Sequence, residues 1–178
     1  MAEPWQKAEI SATLRASVIK ESEQAVAVIK RAKNPILIVG HESVETEGNG
    51  KKPIEYVIKL SKNGNIPIVA TAQTVGEFLK RGYQPSAWMS ALEIGSRLAD
   101  SDWSLSGNGN HDLAIFLGIP YTLEWTILSG LKHLAPHIKT MALDRFHHQH
   151  SNFSFPNLEP DIWQQKMDEI AIGVADGE

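Results

Sequence analysis

The stretch AKNPILIVGHESVETEGNGKKP, residues 32–53, decides the fold class. A continuous apolar run at 36–39 ends at Gly40, and a polar loop then leads to Pro53. An unbroken run of aliphatic and β-branched residues is typical of a strand that is buried on both faces, as in a parallel sheet. We therefore predict a strand at 36–40, a polar loop after it, and a helix that begins at Pro53.

Apolar runs and segments with helical spacing alternate along the rest of the chain. Further strands are predicted at 66–70, 112–117 and 138–143, and a short edge strand within 151–155. Helices are predicted to begin at Ser22 (as its cap), at Pro53 and at Pro120, and to cover 75–81, 87–99 and 160–171. The helix after Pro120 is predicted to bury Leu123, Ile127, Leu131 and Leu134. Alternation of this kind specifies right-handed crossovers, so the predicted fold class is α/β, a Rossmann-like, doubly wound parallel sheet.

Composition limits the classes of function. The chain has 178 residues, 42% of them hydrophobic, and we predict an N-terminal arm at 1–18 followed by a single domain at 19–178. A net charge of −4 with scattered basic residues argues against nucleic acid as a partner. No apolar run approaches the ~20 residues of a membrane span. The sequence contains no cysteine, which rules out thiolate-held clusters and thiol catalysis by this chain and fits a cytoplasmic location.

The loop after the first strand lacks the features of an NAD site. A dinucleotide-binding turn has the pattern G-x-G-x-x-G directly after the strand, and an acid at the end of the next strand holds the ribose. Here acidic residues fill the loop, where they would repel a pyrophosphate, and the next strand ends without an acid. The candidate cofactor-binding residues that remain are Gly40, His41, Glu42, Thr71, Gly118 and Tyr121.

A histidine-rich loop follows the last predicted strand and contains His147, His148 and His150. A stable metal site needs further ligands with fixed geometry, and only Asp144 is nearby in sequence. We therefore expect these imidazoles to contact solvent or a partner, and we expect no protein-held metal. No nucleophile lies at a spacing from His41 and Glu42 that indicates a catalytic group, so we expect no catalytic residue.

Two irregular segments are predicted to contact a partner protein. The arm contains Trp5 and Ile10, and segment 101–107 places Trp103 and Leu105 among small polar residues. Exposed aromatic and aliphatic side chains in irregular segments mark protein contacts more often than isolated surface positions do. The alternative for the arm is that it packs across its own domain, and the alternative for Trp103 is that it is tucked under its own loop.

Four segments, in their order and spacing, resemble one known family. They are EPWQKAEI at 3–10, IKRAKNPILIVG at 29–40, GNGNHDLAIFLG at 107–118 and FHHQHSNFSFPNL at 146–158. The chain that carries them resembles the epsilon subunits of the archaeal acetyl-CoA decarbonylase/synthase (carbon monoxide dehydrogenase) complex. The similarity extends over essentially the whole sequence.

The resemblance implies a DHS-like NAD/FAD-binding fold that serves as an accessory, non-catalytic subunit in reversible acetyl-CoA cleavage and synthesis. In that family two alpha and two epsilon chains form the carbon monoxide dehydrogenase component, with epsilon–epsilon contact as a further expectation. The alpha chain carries the nickel–iron–sulfur chemistry, and epsilon stabilises it.

Two alternatives remain open at this point. The first is a flavin-binding module that passes electrons from CO oxidation to FAD and uses the carboxyl edge of the sheet, at 40–43, 71–74, 118–121 and 144–152. The second is a free-standing enzyme of the deoxyhypusine-synthase type. That enzyme needs NAD and a lysine nucleophile, and no lysine in this sequence lies in a motif that identifies it as such a nucleophile.

Overall fold

The computed structural model describes residues 15–45, 52–105, 107 and 109–175. Within them, seven strands form one sheet: Ser17–Val18 (β1), Pro35–Val39 (β2), Ile68–Ala70 (β3), Ala87–Trp88 (β4), Leu113–Leu117 (β5), Lys139–Ala142 (β6) and Phe153–Ser154 (β7). The helices there are Ser22–Arg31 (α1), Pro53–Gly64 (α2), Val75–Lys80 (α3), Ala91–Ala99 (α4), Tyr121–Leu134 (α5) and Pro160–Ala175 (α6), and 3-10 turns cover His41–Val44 and Ala72–Thr74.

The strand order is β1-β7-β6-β5-β2-β3-β4, and every pair is parallel. The order of the strands reverses between β2 and β5, where Val39 lies opposite Leu117. Helices cover both faces, so the predicted α/β, Rossmann-like, doubly wound fold is confirmed. No helix in the described part of the chain is both long and apolar enough to cross a membrane.

Alternate residues of the central strands build two hydrophobic clusters. Leu37 and Val39 of β2 pack with α1, α2 and α6 on one face of the sheet. Ile36 and Ile38 pack with α4 and α5 on the other face. All four side chains are fully buried, which explains why the sequence of this strand is apolar without alternation.

Two predicted elements differ from the structure. The predicted helix at 87–99 begins only at Ala91, because residues 87 and 88 form β4 and the Ser90 hydroxyl accepts a hydrogen bond from the Glu93 amide at 3.2 Å as the helix cap. The short strand predicted within 151–155 exists as β7, but it is not at the edge, because β1 pairs with its outer side.

The start of α1 also differs from the prediction that Ser22 caps it. The side-chain oxygen of Gln24 accepts hydrogen bonds from the Lys20 and Glu21 amides, at 2.8 and 3.3 Å. The Ser22 hydroxyl instead donates to the Glu169 carboxylate on α6, at 2.6 Å. The serine therefore links α1 to α6 and does not cap the start of α1.

The segments predicted to contact a partner have different outcomes. Trp103 and Leu105 are partly buried and pack against the core beside α4 and α5, and the Trp103 ring lies 5.4 Å from the His111 ring. The prediction that they are exposed is wrong, and the alternative that Trp103 is tucked under its loop is confirmed. Of the predicted arm, residues 17 and 18 form β1. Residues 1–14, including Trp5 and Ile10, lie outside the described residues.

Candidate functional site

The crevice between the ends of β2 and β5 is filled by the protein's own backbone. The Gly40 amide donates to the Leu117 carbonyl, and the Glu42 amide donates to the Gly118 carbonyl, both at 2.9 Å. A Cβ atom on Gly40 would lie 2.2 Å from the Gly118 carbonyl oxygen, and one on Gly118 would lie 2.5 Å from the Ser43 amide. Doubly wound proteins bind ligands at this reversal point. In this chain the space is closed.

A small cavity lies one strand further along, above the ends of β5 and β6. Its volume is about 50 Å³, and its polar lining comes from Glu42, Tyr121, Asp144, Arg145 and His148. These residues come from the turn after β2, from the start of α5 and from the loop after β6. The Asp144 carboxylate accepts a hydrogen bond from the Gly118 amide at 2.8 Å, which joins the two loops at the base of the cavity.

Glu124, in the first turn of α5, lies beside this cavity and is fully buried, with 0% of its surface exposed. Neither of its carboxyl oxygens makes a hydrogen bond of ordinary geometry within the described part of the chain. Its Oε1 atom lies 3.7 Å from His148 Nε2. One potential ligand atom from each of Glu124, Asp144 and His148 lies within 4.8 Å of the other two.

Burial controls the charge of this group. It raises the pKa of Glu124 well above the usual value for a carboxyl. The negative charge of Asp144, a side-chain hydrogen bond with Asp144 that lies outside ordinary geometry, and the negative charge of Glu42 raise it further. Burial also lowers the pKa of His148 to about 4, with smaller contributions from His147 and His150. Burial therefore favours the neutral form of both partners of the 3.7 Å contact, and with His148 uncharged near pH 7 this contact is not an ion pair.

The histidine loop is buried, so the prediction that its imidazoles contact solvent or a partner is wrong. The exposed fractions of His147, His148 and His150 are 4%, 1% and 4%. The Nδ1 atom of His147 lies 2.9 Å from the Phe155 carbonyl, and the His148 ring packs 4.4 Å from the Tyr121 ring. The loop also packs on α5 through His150, whose ring lies 4.6 Å from the Trp125 ring.

The predicted cofactor-binding residues do not form one group. Glu42, Gly118 and Tyr121 line the cavity, whereas His41 and Thr71 do not. Gly40 contributes backbone at the closed crevice.

The sequence interpretation missed Glu124, although a signal was present. The buried face of α5 consists of Glu124, Ile127, Leu128 and Leu131, which have helical spacing and include one acid. The predicted face included Leu134 instead, and 72% of that side chain is exposed.

The cavity does not fit FAD or NAD. Sites for such ligands have volumes of roughly 300–1,000 Å³, whereas this cavity has about 50 Å³. Glu42 and Asp144 line it, and a pyrophosphate would meet their negative charge. Its size suits an ion or a water molecule.

A family model described as "CO dehydrogenase beta subunit/acetyl-CoA synthase epsilon subunit" matches residues 1–171. The chain belongs to this epsilon-subunit family. The chain is 33% identical, over 94% of its length and 93% of the relative's, to the acetyl-CoA decarbonylase/synthase complex subunit epsilon of Methanothermobacter thermautotrophicus. It is 38% identical, over 86% and 81%, to subunit epsilon 1 of the same complex from Archaeoglobus fulgidus.

Another relative in the epsilon-subunit family comes from Methanothrix soehngenii, with 37% identity over 81% of this chain and 76% of the relative. The family-model match at residues 1–171 includes all seven strands of the sheet and the histidine loop. The resemblance inferred from four short segments is therefore confirmed.

Proposed function

We propose that the chain is an accessory, non-catalytic subunit of the carbon monoxide dehydrogenase component of an acetyl-CoA decarbonylase/synthase complex. There it stabilises the alpha subunit, in an assembly of two alpha and two epsilon chains in the cytoplasm. The observation that carries this proposal is the similarity over nearly the whole chain to proteins named as the epsilon subunit of that complex.

The closed crevice supports an accessory role rather than catalysis by this chain. In a doubly wound fold the reversal point is where substrates and cofactors bind, and here the Gly40 and Gly118 backbones fill it. The neighbouring cavity holds no more than an ion or a small molecule. The sequence has no cysteine with which to ligate an iron–sulfur cluster. These features favour a stabilising subunit over the flavin-binding electron carrier.

The proposal predicts that the chain protects the alpha subunit. Alpha alone and alpha mixed with this chain would be compared by light scattering for mass and by the half-life of CO oxidation during heating. We expect a complex of two chains of each kind and a longer half-life, because a partner that binds only the folded state stabilises it. The initial rate per nickel should be unchanged, since this chain contributes no catalytic group.

Two results would contradict the proposal. The first is the absence of any complex between the chain and alpha at micromolar concentration. The second is a flavin absorbance band in the purified native complex that depends on this chain, together with loss of electron transfer when the chain is omitted. That pair of observations would support the flavin-binding alternative.

A further inference from the structure

The group Glu124, Asp144 and His148 has no role in the proposed function, and its chemistry is that of metal ligands. We propose that these three residues bind one divalent first-row transition-metal ion, with Zn²⁺ as the ion that fits best. The expectation from sequence was that no metal is held, because no third ligand was visible near the histidine loop. Glu124 supplies that ligand from a helix 20 residues earlier.

The spacing of the three side chains suits such an ion. Zinc–ligand distances of about 2.0–2.2 Å place neighbouring ligand atoms of a tetrahedral site roughly 3.3–3.6 Å apart. The His148 Nε2 and Glu124 Oε1 atoms are already 3.7 Å apart, and ligand atoms of all three residues lie within 4.8 Å of one another. Small side-chain rotations would bring them to one centre.

Beside the spacing of the three side chains, the burial of the Glu124 carboxyl group is a second observation that points to a bound ion. Its carboxyl group is 0% exposed, and neither of its oxygens makes a hydrogen bond of ordinary geometry in the described residues. A buried carboxyl group whose hydrogen bonding is incomplete costs stability, roughly 1–3 kcal/mol or more. A divalent cation would offset that cost by binding the ionised forms of Glu124 and Asp144, whose mutual repulsion otherwise favours a protonated Glu124.

The surrounding residues hold two of the ligands in place. The Gly118 amide donates to Asp144 Oδ1 at 2.8 Å. The His148 backbone amide donates to the Ser154 hydroxyl at 2.9 Å, and the Tyr121 ring packs on the imidazole. Supported ligands of this kind lose little freedom when a metal binds. The adjoining cavity of about 50 Å³ has room for a water molecule as a fourth ligand.

The donor set selects the class of metal. One imidazole nitrogen with two carboxylates suits Zn²⁺, Fe²⁺ or Mn²⁺, whereas Ca²⁺ and Mg²⁺ prefer oxygen ligands alone. Among the first group, Zn²⁺ binds nitrogen and oxygen donors more tightly than Mn²⁺ or Fe²⁺ does. The site does not depend on the assembly proposed above, so the isolated chain can test it.

The test uses the full, tag-free chain, stripped with a chelator and titrated with ZnCl₂ by calorimetry. Metal per chain is then measured after gel filtration. We expect one Zn²⁺ per chain, and in the isosteric variant Glu124→Gln a loss of affinity larger than the roughly 10–100-fold that removal of an outer-shell partner causes. The matched control is Glu93→Gln, on the exposed face of α4, whose side chain pairs with Arg97. This control should bind as the natural chain does.

A second pair of variants tests the imidazole. His148→Asn should lose tight binding, and His133→Asn, at the exposed end of α5, should keep it. Glu124→Gln removes a buried ionisable group without changing its shape, so it remains informative even if His148→Asn fails to fold. An unchanged Zn²⁺ affinity in Glu124→Gln would overturn the proposal. So would a natural chain that binds no more Zn²⁺ than that variant.

Discussion

At the scale of single residues, Gly40 shows how little room the crevice leaves. A side chain there would collide with the Gly118 backbone, which is held on the turn after β2 by the Glu42 amide. We predict that Gly40→Ala lowers the free energy of unfolding by about 2 kcal/mol or more, as overpacking does. Urea unfolding measures the change.

The control is Gly130→Ala in the middle of α5, where an added Cβ meets nothing within 4 Å. Alanine is the better helix former, so this control should raise the free energy of unfolding by roughly 0.5–1 kcal/mol. If Gly40→Ala left the free energy of unfolding unchanged, the crevice would be able to open.

His148 makes stability depend on pH. Its pKa is near 6.5 in the unfolded chain and about 4 in the folded protein, because burial disfavours the charged imidazole. Below pH 6.5 the unfolded state therefore binds a proton that the folded state does not bind. The free energy of unfolding falls as the pH is lowered from 6.5 to about 4. The groups that face this imidazole are Tyr121, Glu124, Asp144, His147 and His150.

We predict that chelator-treated protein loses about 2–3 kcal/mol between pH 7 and pH 4.5 through this histidine alone. Glu124 acts in the opposite direction, because its raised pKa lets it remain protonated in the fold. The comparison is therefore between the natural chain and His148→Gln over the same pH range, with His133→Gln as control. Equal pH slopes for the natural chain and His148→Gln would contradict the assignment.

The residues of the site were only partly predictable from sequence. Strand ends in a parallel sheet meet at one edge, so Glu42, Gly118 and Asp144 could be expected near each other. Glu124 has the helical spacing of the buried residues Ile127 and Leu128, which is the signal that it is buried, but nothing in the sequence places it beside Asp144 and His148. The burial of the histidine loop depends on packing against α5, which no local pattern reveals.

At the scale of elements, Asp112 joins the end of α1 to the sheet. Its carboxylate accepts hydrogen bonds from the Lys33 and Asn34 amides, at 2.7 and 2.9 Å, just before β2 begins. We predict that Asp112→Ala lowers the free energy of unfolding by about 2 kcal/mol, since hydrogen bonds to a charged group are worth roughly 1.5–3 kcal/mol. Thermal or urea unfolding measures this.

The control for that prediction is the exposed Asp102→Ala, which should change stability by less than about 0.5 kcal/mol. Asp112→Asn keeps one acceptor oxygen and should have an intermediate effect. If Asp112→Ala matched the Asp102 control, the turn between α1 and β2 would be held by other contacts.

Element length explains which strands were predictable. β2 and β5 are five residues long and fully apolar, so each is visible as a continuous run. β1 and β4 have two residues each, too few to show any period, and both were missed. The position of β7 was misassigned for the same reason, because its outer neighbour β1 comes from the segment interpreted as an arm.

At the scale of the whole molecule, β1 joins residues 17 and 18 to the margin of the sheet by pairing with β7. The Ser17 amide donates to Asn152 and the Ile19 amide to Ser154, both at 2.8 Å. Deletion of residues 1–12 leaves these bonds intact. We predict that this deletion weakens co-purification with the alpha subunit and changes the melting temperature of the isolated chain little. Gel filtration of the mixture and calorimetry of the chain measure the two effects.

A deletion from 1 to 18 provides the contrast, because it also removes β1 and should lower the melting temperature. If removal of residues 1–12 unfolded the isolated chain but spared assembly, those residues would belong to the chain's own core. The prediction that they contact a partner would then be wrong.

Both margins of the sheet end in two-residue strands, β1 and β4. A long, flat strand at a margin offers a row of free amide and carbonyl groups to another molecule, and proteins that expose one tend to form fibrils. Strands as short as these offer few such groups. In the part of the chain that the structure describes, both margins are thus poor templates for intermolecular strand pairing, and we expect the chain to stay dispersed at high concentration.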